Sequence, residues 1–297
     1  MTCKKGVSNT ILVLTTAAVA TFGLLAGACE PSGNHTAGAD ATQSRLAEWL
    51  EEGQNVVQQA GQPGELVAWY AEQQLAIPYR GGLLDEPEEE QLVVTLDGSD
   101  CVIYVEMSLA LARTTMLSET STNTFREQLK NLRYRDGKID GYPSRLHYFS
   151  DWLLSNQDQG LIRLLFQNDD LPEVTSPDIM TSNPENYPHI DGNPATLEAM
   201  REIEQRLADR TLYYIPVERI AEFENRLQTG DILGIVTDRA HMDIAHTGLV
   251  KMLEGRAGFY HASVVGEVMV DPKSVYEYTR DRSDGIGIVV ARLEEPD

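Results

Sequence analysis

The chain has 297 residues, with 46 Asp plus Glu against 24 Lys plus Arg, a formal net charge of −22 and 42% hydrophobic residues. That length builds one large domain or two small ones, and the apolar fraction is enough for a core. So acidic a surface repels phosphate backbones and anionic headgroups, which argues against nucleic acid as a partner and against electrostatic docking on a membrane.

At the N-terminus, Lys4 and Lys5 precede an apolar run from Ile11 that ends in Ala26-Gly27-Ala28, directly before Cys29. The run is too short and too rich in threonine for a spanning helix. Residues 1–28 read as an export signal of the bacterial lipoprotein type: the peptidase accepts small residues at the cut, and the Cys29 thiol carries the lipid. An ordinary secretory signal with an incidental cysteine is the plainer alternative. One acyl chain anchors only marginally, so a lipoprotein held on a membrane carries several. Glu30 after the cysteine, in place of aspartate, points to the outer membrane facing the periplasm. Residues 29–44, rich in small and polar side chains without an apolar period, read as a flexible tether, and 45–297 as one globular domain.

Two helices are predicted next, from Leu46, Trp49, Leu50 and Val56 and, after the Gly61-Gln62-Pro63-Gly64 break, from Leu66, Val67, Tyr70 and Leu75. A loop from Ile77 to Leu83 and an acidic stretch lead to a predicted strand at Leu92–Leu96, closed by an Asp97-Gly98 turn. From Asp100 to Leu117 good helix formers carry apolar residues on nearly all faces, the mark of a helix inside the core. Further helices are predicted at Thr124–Arg135, Leu146–Leu154 and Ala195–Ala208, with a long irregular excursion between about Asn168 and Asn193. The last third changes period. Ile232–Thr237, Thr247–Leu253, Gly258–Val265, Glu267–Val270 and Gly285–Arg292 are short β-branched runs spaced as an antiparallel meander. Helices first and strands afterwards make an α+β pattern.

Three cysteines, Cys3, Cys29 and Cys101, are too few and odd in number for a disulfide framework. Cys101 opens the buried helix, where the helix dipole and unpaired backbone N–H groups favour a thiolate and can receive an oxyanion. The bland alternative is a small core hydrophobe. Of six histidines, His246 and His261 fall in strand-like segments; if those strands pair, one imidazole can serve as base while the other fixes its tautomer. Equally, they can be half-buried strand residues without a partner. His241, Asp243 and His246 could supply zinc ligands, but no His-x-Glu or paired-cysteine signature accompanies them. Neither a Gly-rich phosphate loop nor a Gly-x-Ser-x-Gly elbow is present, and the reading calls for no metal and no cofactor.

Taken in order, Pro78-Tyr79-Arg80-Gly81-Gly82, Asp100-Cys101, Thr229-Gly230-Asp231-Ile232, His246-Thr247-Gly248 and His261-Ala262-Ser263 resemble the NlpC-type papain-like cysteine hydrolases of bacterial cell walls. Tyr134-Arg135-Asp136-Gly137 and the stretch Gly141 to Trp152 resemble, more narrowly, the N-acetylmuramoyl-L-alanine amidase-like branch, and the likeness runs from Leu66 to Arg292. The resemblance implies a papain-like fold with N-terminal helices and a nucleophile helix packed on a C-terminal antiparallel sheet. It implies Cys101 as nucleophile, His246 as general base, His261 as its orienter, and Tyr79 beside the thiol, holding the scissile carbonyl. The reaction it implies is hydrolysis of the amide between the muramoyl lactyl group and L-alanine, with preference for small 1,6-anhydro muropeptides. Stem carboxylates call for a local arginine. The branch-specific segment offers Arg135 and Arg145, whose plainer role is a surface ion pair, with Asp136, Ser144, His147 and Tyr148 on the same expected wall. Ile103-Tyr104 departs from the threonine and phenylalanine usual in the branch. Two other readings remain: a γ-D-glutamyl-diamino acid endopeptidase of the same fold, and a non-catalytic peptidoglycan-binding lipoprotein. The branch motifs count against the first. The joint presence of Cys101, His246 and His261 counts against the second.

Overall fold

The computed structural model describes residues 33–296; the proposed export signal and Cys29 lie outside them. Helix α1 (Gly33–Val57) begins inside the segment expected to be a tether, so the ordered unit starts before Arg45. Alanines at 37, 39 and 41 favour a helix locally, and Thr42, Leu46, Trp49 and Leu50 form one buried face. Helix α2 (Pro63–Gln73) starts on its proline, as the break predicts, and buries Leu66, Val67, Tyr70 and Ala71. Gly64 and the Thr229-Gly230 turn lie back to back; a Cβ on Gly64 would strike Thr229 O, one on Gly230 would strike the Gly64 backbone, and Gly230 has a φ of +85°. This close approach fixes the start of α2 against the loop ahead of the third strand.

Helix α3 (Cys101–Met116) runs through the centre and is buried from Ile103 to Thr115, as its all-round apolar surface predicts. Helix α4 (Thr122–Arg133) is capped by Ser121 and packs along α3. Helix α5 (Phe149–Asp158) starts three residues later than predicted. The cause is that Leu146 donates its N–H to Arg133 O and Arg145 bridges Tyr134, which holds this stretch extended. The strand predicted at Leu92–Leu96 is extended chain without a strand partner; its Val93 carbonyl accepts instead from Arg133 Nη1 at 2.6 Å. Strand β1 (Ile162–Leu165) follows, and then the expected irregular excursion, broken by the short α6 (Ile179–Ser182). After it come α7 (Pro194–Ala208), β2 (Ile215–Pro216) and α8 (Ile220–Phe223).

The C-terminal third supplies β3 (Ile232–Thr237), β4 (Ile244–Leu253), β5 (Arg256–Ala262), β6 (Val268–Ser274), α9 (Val275–Asp281) and β7 (Gly285–Leu293). The sheet is antiparallel, in the order β1-β7-β3-β4-β5-β6, with β2 also on β7. It is therefore not a simple meander, because the last strand returns to lie between β1 and β3. Ile232, Leu249 and Tyr260 pack with α1 to α5 on one face, while Leu233, Val250 and Phe259 pack with Ile220, Phe223 and Val275 on the other. Burial on both faces accounts for the unbroken apolar run of β3. Strand β5 stops at Ala262, short of the predicted Val265: Gly266 N–H closes a turn onto Ser263 O and leaves Val264 and Val265 exposed.

Candidate active site

The site assembles where α3 begins against the β4 and β5 strands. Asp100 caps α3, its Oδ1 accepting from Val102 N at 3.0 Å and Ile103 N at 2.8 Å. Cys101 thereby stands in the first turn, half-buried and as a free thiol. Tyr79 lies beside it. Its N–H donates to Gly266 O at 2.8 Å, Ser99 N–H donates to Pro78 O at 3.0 Å, and Tyr79 bridges Ser99 in parallel. Burial raises the Tyr79 hydroxyl above the usual tyrosine range, with the neighbouring Cys101 and Asp100 adding to it.

The thiol is pushed up to about 12 by burial and then by the Asp100 carboxylate, against the backbone N–H groups of Thr247, Cys101 and Val102, which pull it down. The expectation that the helix start favours a thiolate is corrected by this balance: the donors are in place, but desolvation and the capping carboxylate outweigh them. Through Thr247, the residue after His246, the thiol is tied to the histidine strand. Among the described residues it makes no hydrogen bond to either imidazole.

His246 pairs with Ile235, and the register then shifts so that Val236 meets Ile244, which leaves Ala245 as a bulge beside the histidine. His246 Nε2 and His261 Nδ1 are 2.8 Å apart, with the rings at 89°. Phe259 and Tyr278 wall the pair. Gly248 makes the room: a Cβ there would collide with the Phe259 ring and Tyr260 O. Burial, then His261, then the Arg282 guanidinium bring His246 down to about 3. His261 is also lowered, by burial and Arg282, while Asp271 holds it up. His261 Nε2 is buried, lies at an ion-pair distance of 3.4 Å from Asp271 Oδ2, and makes no hydrogen bond among the described residues of the resting structure. The resting site is therefore a neutral thiol beside a neutral, hydrogen-bonded histidine pair.

A cleft of about 310 Å³ flanks the thiol's neighbours Asp100 and Val102; Tyr142, Arg145, His147, Tyr148 and Tyr187 are among its lining residues. Three of the six residues expected to bind substrate thus face it. Arg145, though, is buried and already holds Asp85 at 2.5 Å and Glu90 at 3.1 Å. His147 Nε2 donates to Tyr142 O at 2.8 Å, and burial followed by Arg145 brings the ring down to about 3. Tyr148 donates to Glu204 Oε1 at 2.5 Å. The structure does not bring the other three here. Arg135 forks onto Asp151 and, with Asp136, lines a separate surface hollow, because the turn after α4 carries them away from the cleft. Ser144 closes a turn onto Gly141 O at 2.7 Å. The zinc alternative places its members on different partners: His241 on Asp178 at 2.6 Å, Asp243 on Ser150 N at 2.9 Å.

Asp271 and the buried Glu106–Arg133 pair, at 2.7 Å in the cleft wall, went unread in the sequence. Nothing in the spacing of Asp271 marks it. The buried pair had a signal: one acid, Glu106, in a helix that is apolar on nearly all faces.

A central helix that opens on a cysteine, docked on an antiparallel sheet that carries a histidine pair, makes a mixed α+β scaffold. The family described as AmiA-like, N-acetylmuramoyl-L-alanine amidase-like, matches residues 70–288, and the chain belongs to it. A crystal structure of a N-acetylmuramoyl-L-alanine amidase from Bacteroides uniformis ATCC 8492 is 30% identical, with a TM-score of 0.73 over 79% of this chain and 100% of that one. Protein LPG0564 of Legionella pneumophila str. Philadelphia 1 shares the fold at 19% identity, with a TM-score of 0.66 over 89% of this chain and 98% of that one. No curated protein matches the chain.

Proposed function

We propose that the protein is a cysteine amidase of the NlpC-type, papain-like class that hydrolyses the bond between N-acetylmuramic acid, in its 1,6-anhydro form, and L-alanine in muropeptides. The observation that carries this reading is the His246–His261 pair at 2.8 Å, with His246 on the strand whose Thr247 N–H meets the Cys101 thiol. In this mechanism His246 Nδ1 takes the thiol proton as Sγ attacks the lactyl carbonyl carbon. The carbonyl electron pair moves onto oxygen, which the Tyr79 hydroxyl and the N–H groups at the start of α3 receive. When that pair returns, the C–N bond breaks, and His246 passes its proton to the departing L-alanine nitrogen. Water, deprotonated by His246, then cleaves the thioester, releasing the lactyl carboxylate and restoring the thiol.

Purified anhydro-muropeptides incubated with wild type and with Cys101→Ala, followed by mass spectrometry, test the reading. The expected result is intact stem peptide from wild type alone. Cleavage inside the stem overturns it in favour of an endopeptidase, and no cleavage by wild type favours a binding protein. Loss of activity with a chelator while Cys101→Ala stays active overturns the thiol mechanism. The same proposal makes the chain an exported lipoprotein, anchored through Cys29 in the outer membrane and facing the periplasm, on the strength of the Lys4-Lys5, Ile11–Ala28 and Cys29 pattern. Metabolic labelling with palmitate should mark wild type and spare Cys29→Ser.

A further inference from the structure

Resting on the cysteine mechanism above, we infer that Asp271 is the positioning residue that sets the tautomers of both active-site histidines. His246, His261 and Asp271 form a line: 2.8 Å from His246 Nε2 to His261 Nδ1, then 3.4 Å from His261 Nε2 to Asp271 Oδ2. Each neutral imidazole carries one N–H, so the direction of the line is decided at its ends. An ionised carboxylate only accepts. Facing it, His261 must carry its proton on Nε2, which makes Nδ1 the acceptor. His246 must then donate from Nε2, and its Nδ1 is left with the lone pair that a general base needs toward the thiol.

The strand geometry serves this line. The ladder pairs His261 with Met269 and Phe259 with Asp271, so the two-residue repeat of each strand puts Met269 and Asp271 on the sheet face that carries Phe259 and His261. Asp271 Oδ1 accepts from Lys273 N at 2.8 Å, which fixes the carboxylate and leaves Oδ2 for the imidazole. The side chain is only 15% exposed, so its field is weakly screened. Arg282, on the far side of the pair, opposes a positive histidine. Asp271 is the carboxylate that opposes this effect on His261, and it stabilises the imidazolium formed when His246 takes the thiol proton.

The test compares wild type with Asp271→Asn, Asp271→Ala and Asp271→Glu. An asparagine can donate to His261 Nε2 and reverse the line, placing a proton on His246 Nδ1 where the base must be empty. Asp271→Asn is expected to lower kcat roughly 10²–10⁴-fold with KM unchanged, and Asp271→Glu to restore part of the loss. Independently of any activity, ¹⁵N-histidine long-range correlation spectra should show His246 protonated on Nε2 in wild type and on Nδ1 in Asp271→Asn. Unchanged tautomers in Asp271→Asn, or a kcat within twofold of wild type, overturn the inference. A wild type inactive on muropeptides overturns the proposed function while leaving the tautomer spectra to decide this one.

Discussion

Glu106 and Arg133 meet at 2.7 Å with both side chains 1% exposed, in the wall between the core helix and the cleft. The Glu106 carboxylate also accepts from Trp152 Nε1 at 3.1 Å, while Arg133 donates to Val93 O at 2.6 Å and keeps Nη2 without a partner. Glu106→Gln is nearly isosteric and preserves an acceptor, yet it removes the carboxylate paired with a guanidinium that has already lost its water. Breaking a buried pair from one side costs about 3–5 kcal/mol. Retention of the hydrogen bonds places Glu106→Gln near the lower end, about 3 kcal/mol. Urea titration followed by Trp152 fluorescence measures it. The double variant Glu106→Leu/Arg133→Met, which removes both charges, is expected to lose less than Glu106→Gln does. A Glu106→Gln loss under about 1 kcal/mol, or a double variant as damaged as the single one, would refute the reasoning.

Three other outcomes follow from buried groups. Tyr104, where the resembled branch has phenylalanine, buries a hydroxyl without a partner, so Tyr104→Phe should raise the urea midpoint by an amount worth about 1 kcal/mol; a fall would show that the hydroxyl is satisfied. His147 and His246 have folded values near 3 against about 6.5 in the unfolded chain, so the stability they contribute is present above pH 6.5 and is lost as pH falls from there toward 3. Each should cost about 2 kcal/mol by pH 5, and His246→Asn should flatten that slope; the raised carboxylates of Asp100, Glu106 and Asp243 act in the opposite sense, over a window that opens at the ordinary carboxylate range and extends upward, so the histidine contribution is read as the difference between wild type and His246→Asn at each pH. Iodoacetamide should label Cys101 more slowly at pH 7 than a free cysteine and still be accelerating at pH 9; a rate that levels off below pH 6 would reveal a resting thiolate.

The residues of the proposed site were readable because each sits on a local signal: an Asp-Cys at a helix start, histidines on strand-period runs, a tyrosine in a Pro-Tyr-Arg-Gly-Gly loop. The elements beneath them were readable for the same reason, since α3 is apolar on nearly all faces and β3 is rich in β-branched residues. What escaped depends on contacts distant in sequence. Strand β1 is four residues long and exists because β7 returns to its edge, a pairing no window around Ile162 contains. Leu92–Leu96 has the composition of a strand, but the partner its backbone meets at Val93 is the Arg133 side chain. Arg135 and Arg145 look alike in sequence. One is turned outward with α4, and the other is drawn inward by Asp85 and Glu90, which lie in the acidic stretch far upstream.

The raised thiol and the lowered histidines have one structural origin. A sheet covered on both faces places His246 and His261 in a desolvated layer, and α3, docked on that sheet, carries Cys101 to its margin. With the thiol near 12 and His246 near 3, moving the proton between them in the empty site costs on the order of 10 kcal/mol. Coulombic attraction between the resulting charges at contact returns about 4 kcal/mol at the effective dielectric of a partly buried pair. In the proposed mechanism the remainder is met where charge develops during the reaction: by the N–H groups of Thr247 and the start of α3, which meet the thiol, and by a carboxylate behind the histidines, the position Asp271 occupies. In the proposed mechanism such a site keeps its thiol protonated until an acyl carbon arrives to accept the electron pair, and the burial that overrides the helix dipole is what makes activation depend on substrate.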